Sequence, residues 1–107
     1  MFQGKIIVAE GAQKTDGRQV SRALLLSDQA EMDAKPELEI HADDVTCSHG
    51  SAIGDLDADA LFYLRARGLN EAEARALLIR AFIDDVLDEI HAPEWRDMCR
   101  AEVEEWL

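Results

Sequence analysis

Glycine is unevenly spread along this chain, and that constrains its fold more than any other feature. Five of the six glycines (Gly4, Gly11, Gly17, Gly50 and Gly54) fall within the first 54 residues, and only Gly68 lies beyond them. Glycine serves turns and close backbone approaches, and it weakens helix interiors. The first stretch is therefore expected to consist of short extended segments, and the second of helices. Residues 1–54 and 55–107 are read as two domains meeting at a seam at Gly54.

In the first domain, short apolar runs at residues 6–9, 23–26, 38–42 and 45–47 alternate with turn residues. The turns are Glu10-Gly11-Ala12, Thr15-Asp16-Gly17, Ser27-Asp28-Gln29 and Ala42-Asp43-Asp44. This pattern predicts an all-β segment whose first strand begins almost at the first residue, over residues 2–8. Leu38, Ile40 and Ala42 alternate with Glu39 and His41, so the first three are expected to face a core and the other two to face outward. No Asn-Gly hairpin signal occurs, and the turns are irregular. Those features favour a β-solenoid over a meander, although no repeat of fixed period is visible.

The second domain reads as three helices. Asp57 is the expected N-cap of the first, with Leu56 and Leu61 as a hydrophobic staple. This helix stops at Gly68, which enters the left-handed conformation freely. Asn70 caps the second helix, with Glu73 completing a capping box. Ala74, Leu77, Leu78, Ala81, Phe82, Val86, Leu87 and Ile90 supply its helical periodicity. Pro93 opens the third helix, where a missing N–H is harmless, and Trp95, Met98, Cys99, Val103 and Trp106 form its apolar stripe. The third helix runs to the last residues without a cap and the first strand starts at once, so a portion of a longer protein is expected.

Charge narrows the function. The first domain carries five basic and nine acidic side chains, and the second carries six and fourteen, for a total of −12 over 107 residues. A chain this acidic is a poor match for nucleic acid or for an anionic membrane surface. No apolar run is long enough to span a bilayer, and the N-terminus lacks the regions of a signal peptide. Two cysteines do not make a disulfide framework, so a cytoplasmic setting is expected. The 48% apolar content is that of a folded chain, not a disordered one.

The densest chemical cluster runs from His41 to Gly50 and holds His41, Asp43, Asp44, Cys47 and His49. On an extended strand Cys47 and His49, two residues apart, share a face. A thiolate beside an imidazole is a soft pair suited to iron, zinc or an iron–sulfur cluster, and it is also a nucleophile–base pair. Three readings stand side by side. Cys47 and His49 are half of a site completed by another chain. Alternatively they join His41 and Asp43 in a small metal-dependent enzyme. Or they are structural, Cys47 as a small buried hydrophobe and His49 as a turn residue. Cys99 falls on a different predicted element, and His91 is placed at a helix end as a dipole partner.

No Walker-type phosphate loop is present, and Ser48 and His49 diverge on a strand, which removes a Ser–His–Asp arrangement with Asp44. Asp84-Asp85 and Glu104-Glu105 are read as solvated helix faces. Around the first helix, Leu61 and Leu64 are expected to pack inward. Phe62 and Tyr63, with Arg65 and Arg67, either form an exposed surface suited to a partner or pack on the β domain.

The stretch Lys35-Pro36-Glu37-Leu38-Glu39-Ile40-His41-Ala42-Asp43-Asp44-Val45-Thr46-Cys47-Ser48-His49-Gly50 closely resembles the C-terminal part of the SufD family. These are scaffold subunits of the SUF iron–sulfur cluster assembly machinery. The resemblance extends through Phe2-Gln3-Gly4-Lys5, Gln13-Lys14-Thr15-Asp16-Gly17, Leu61-Phe62-Tyr63-Leu64-Arg65-Ala66-Arg67-Gly68 and Ala81-Phe82, to about Ile90. The final helix matches only in character, and Ser51-Ala52 stands where the family usually has Ala-Thr. The resemblance implies an α+β fold: the last turns of a right-handed parallel β-helix, then a small helical domain. It implies a non-enzymatic scaffold that pairs with a SufB-like subunit and binds a SufC-like ATPase. It assigns Cys47 and His49 to a transient iron–sulfur cluster shared with SufB. It places the ATPase contact around Leu61, Phe62, Tyr63, Arg65 and Arg67. An open β-helix end also leaves strand edges that a second copy of the chain is expected to cover.

Overall fold

A computed structural model describes all 107 residues. Strands β1 (Phe2–Val8), β2 (Asp16–Leu25), β3 (Ala34–Ile40) and β4 (Thr46–Asp55) come first in the chain. Helices α1 (Ala58–Ala66), α2 (Glu71–Leu87) and α3 (Pro93–Trp106) follow. The chain is α+β and divides into two compact units, Met1–Gly54 and Asp55–Leu107.

In the strand unit each strand pairs with the one two places along, β1 with β3 and β2 with β4. β1 and β3 run parallel, from Phe2 opposite Ala34 to Val8 opposite Ile40. The ladder is extended at one end by Phe2 N–H donating to the Asp33 carbonyl (2.7 Å) and at the other by His41 N–H donating to Val8 (2.8 Å). Residues level with each other in a parallel pair share a face. Ile6 and Val8 therefore line up with Leu38 and Ile40, and Lys5 and Ile7 with Glu37 and Glu39, on the opposite face.

The alternation of residues 38–42 thus sorts side chains between faces, but the expected burial does not follow. Val8 is 2% exposed, whereas Leu38 and Ile40 remain 37% and 43% exposed and Glu39 is half-buried. β3 pairs with β1 alone, and none of the buried residues falls on it. Two strand boundaries also differ from the expectation. Thr15-Asp16-Gly17 is not a turn: the bend closes earlier, through Thr15 Oγ1 donating to the Ala12 carbonyl at 2.8 Å, and β2 starts at Asp16. β4 extends to Asp55, well beyond the apolar run at 45–47, and most of its side chains are polar or absent, so no apolar run marks its length.

The helical unit follows its capping signals. Asp57 Oδ1 accepts from the N–H groups of Asp59 (2.8 Å) and Ala60 (3.1 Å). Gly68, at φ +104, ends α1 in a conformation that strains any other residue. Asn70 and Glu73 complete a reciprocal capping box at 2.8 and 2.9 Å. Pro93 opens α3. The core of this unit is Ala74, Ile79 and Leu87, all on α2. Ile79 was not among the expected core positions. Leu77, Ala81 and Val86 were, yet they are exposed, and Ile90 lies past the end of α2. On α3, Cys99 and Val103 are half-buried, while Trp95, Met98 and Trp106 are exposed.

Asp84 and Glu104 are not plain solvated residues. Arg80 grips Glu104 with two hydrogen bonds, one of them Nη2 to Oε2 at 2.6 Å, and Arg100 reaches Asp84 (3.0 Å) and Asp88 (3.6 Å). These pairs tie α2 to α3. The paired Arg80 holds the Glu104 carboxyl below its usual range, and Asp84 and Glu104 raise their arginines. Exposed pairs of this kind stabilise weakly one at a time and more when networked.

The N-cap of α1 offers a direct test. Asp57→Ala is expected to lower the stability of the helical unit by about 1 kcal/mol, measured by urea unfolding. Unchanged stability would mean that the Asp57 carboxylate does not stabilise α1 as its geometry implies.

Candidate functional site

β4 carries the site. Its side chains alternate between two faces, so Cys47 and His49 project from the same one. Cys47 is half-buried, and its Sγ lies 3.5 Å from where a Cβ on Gly17 would stand. Ile6 Cγ2 is the same distance from that point. The thiol therefore packs in a niche between β2 and β1 that the missing side chain of Gly17 leaves open. His49 is exposed at the same face.

The other members of the sequence cluster are engaged elsewhere. His41 Nε2 meets Glu39 Oε1 at 2.8 Å, and Glu39 also forms an ion pair with Lys5. Asp44 pairs with Lys14, and its N–H donates to Gln13 Oε1 at 2.8 Å. Asp43 is exposed. No group of three or more His, Cys, Asp or Glu side chains is arranged to hold a metal ion. The expectation that His41 and Asp43 join Cys47 and His49 in one metal site is therefore not met, since Glu39 takes up His41. Cys99 sits on α3, and His91 lies in the linker after α2 instead of at its last turn, which holds no basic residue.

On α1, Phe62 is 76% exposed and Tyr63 56%, while Leu61 and Leu64 are half-buried. The Arg67 guanidinium lies 4.9 Å over the Tyr63 ring, a cation–π contact. Arg65 reaches Glu71 at 3.9 Å. Phe62 and Arg65 also line an open depression with Leu69 and Glu71, at the turn between α1 and α2. Of the five expected partner residues, four are at the surface, and Leu61 belongs to the underside of its helix.

Sequence reading missed Gly17 as the floor beneath Cys47, because Thr15-Asp16-Gly17 looks like a turn. It also missed the bonds of Gln13 and Lys14 to Asp44, which no spacing signals.

Residues 1–82 match the family described as SUF system FeS cluster assembly, SufBD core domain. The chain belongs to the SufBD family. Among curated proteins, an iron–sulfur cluster assembly SufBD family protein of Synechocystis is 52% identical over 84% of this chain and 20% of its own length. The iron–sulfur cluster assembly protein SufD of Escherichia coli is 47% identical over 82% of the chain and 21% of its own length. The chloroplastic protein ABCI7 of Arabidopsis thaliana is 45% identical over 96% of the chain and 22% of its own length. The chain thus spans about a fifth of the length of these SufBD relatives. The family match covers both strand pairs, α1 and α2 as far as Phe82. No helix of the chain is long and apolar enough to cross a membrane.

The Lys5–Glu39–His41 group gives a pH prediction. Hydrogen bonds from Lys5 and His41 hold the Glu39 carboxyl down at about 2, from an ordinary 4.5. A depressed carboxyl stabilises the fold above its unfolded value and ceases to do so as pH falls through the folded one. Stability of the strand unit is therefore expected to decline as pH drops from about 4.5 towards 2, and Glu39→Gln should flatten that decline. Identical acid profiles for the two proteins, followed by thermal melts, would refute the assignment.

Proposed function

We propose that the chain is part of a SufD-like scaffold that helps assemble iron–sulfur clusters, together with a SufB-like subunit and a SufC-like ATPase. In this reading β1–β2 and β3–β4 are successive coils of a right-handed parallel β-helix, and each strand pair is one of its faces. Their alternating pairing and the strong right-handed preference of parallel crossovers support it. The scaffold is not itself an enzyme, it works in the cytoplasm, and ATP hydrolysis belongs to the partner.

One observation carries the reading. Cys47 and His49 share a face of β4, and no third ligand stands beside them. A thiolate and an imidazole are good ligands for iron, but two ligands do not close a site. The nascent cluster is cargo, and the SufB-like subunit supplies the remaining ligands. The homology to SufD and to SufBD proteins supports the assembly role. Without that partner, the open edges of β3 and β4 are available to a second copy of the chain.

The ATPase docks on α1, where Phe62 and Tyr63 present exposed aromatic surface beside Arg65 and Arg67. This composition is the one that binding hot spots favour.

Two experiments test the proposal. In the full-length protein, His49→Ala should abolish cluster assembly with its SufB-like partner while leaving the circular dichroism spectrum unchanged. Normal assembly by that variant would sink the assignment, and so would a stoichiometric iron–sulfur chromophore on the purified chain alone. For the docking surface, Phe62→Ala is expected to weaken ATPase binding by about tenfold or more in titration calorimetry. An unaltered affinity would place the contact elsewhere.

A further inference from the structure

β4 does little to fix its own register. One row of its side chains is Thr46, Ser48, Gly50, Ala52 and Gly54, and the other is Cys47, His49, Ser51, Ile53 and Asp55. Ile53 is the only large apolar residue among them, and it is exposed. A strand that is polar on both faces and rich in glycine is prone to slip, and a slip by one residue turns every side chain to the opposite face. For β4 that slip would lift Cys47 out of the niche over Gly17 and carry His49 to the other side. Something outside the strand must hold it.

The bends that precede β2 and β4 do so. Lys14 N–H donates to the Asp44 carbonyl at 2.6 Å, and Asp44 N–H donates back to Gln13 Oε1 at 2.8 Å. Thr46 N–H donates to the Thr15 carbonyl at 2.9 Å, at the very start of β4. The Lys14 ammonium also pairs with the Asp44 carboxylate. Lys14 is the one non-glycine residue with a positive φ (+65), a conformation that aims its N–H at Asp44 and that lysine rarely adopts unaided. Thr15 Oγ1 braces the first bend by donating to Ala12.

We propose that these stacked bends are the register lock of β4, and that Gln13 and Asp44 are positioning residues for the Cys47–His49 pair. The lock itself is independent of what the pair binds. Its consequence for cluster assembly rests on the function proposed above.

The test is site-resolved alkylation in the full-length protein, read by mass spectrometry. Gln13→Met keeps the side-chain size but removes the acceptor for Asp44 N–H. It is expected to raise the alkylation rate of Cys47 by about fivefold or more, because a slipped strand exposes the thiol. Cys99 on α3 should react as before. Gln13→Glu retains an acceptor and should restore the slow rate. Amide exchange over residues 2–8 separates a slip from general loosening, since β1 pairs with β3 and not with β4. Faster Cys47 alkylation with unchanged protection there supports the lock. An unchanged Cys47 rate overturns it, as does a rise accompanied by loss of protection across β1. If the lock is supported and the Gln13→Met protein still assembles clusters normally, the role proposed for Cys47 and His49 fails while the lock stands.

Discussion

Parallel pairing of strands two places apart is the constraint on which the strand unit depends. It sets Lys5 near Glu39 on one face and Ile6 level with Leu38 on the other. It also brings the bend before β2 against the bend before β4, although about thirty residues separate them in sequence. Non-local pairing of this kind closes loops before contacts repay the lost entropy. The short bonds between the bends are where that closure is secured. The chemistry of β4 follows from strand parity: once its start is anchored at Thr46, Cys47 faces Gly17 and His49 follows on the same side.

The helical unit relies on a different principle. Its buried core is three residues of one helix, so apolar burial is thin. Local signals compensate: a carboxylate cap on α1, a capping box on α2, a proline opening α3, and arginine–carboxylate pairs between α2 and α3. The acidity concentrated in this half is partly spent inside the unit. Asp84, Asp88 and Glu104 face Arg80 or Arg100 across the helix pair.

What could be read from the residues tracks how local the cause is. Helix boundaries set by Asp57, Gly68, Asn70 and Pro93 were legible, because each acts through its own neighbouring N–H groups or φ. β1 was legible from the apolar run that ends it, Ile6-Ile7-Val8. β4 was legible only at its start, around Cys47 and His49, since the Gly, Ser and Ala residues that follow carry no apolar signature. The core of α2 was misjudged around Leu77 and Ile79, because periodicity gives the spacing of a stripe but not its phase. At the site, the pairing of Cys47 with His49 could be read from strand parity. The outward placement of His41 beside Glu39 follows from the same parity, but the Lys5–Glu39 ion pair does not, as it depends on a strand more than thirty residues earlier.

Both tryptophans of the chain, Trp95 and Trp106, lie on α3, and both are exposed. The strand unit has none, and its aromatic content is Phe2 alone. Intrinsic fluorescence is thus a one-sided probe. Changes in emission colour or quenching report what happens around the last helix. A protein settling over α3 would announce itself without any label.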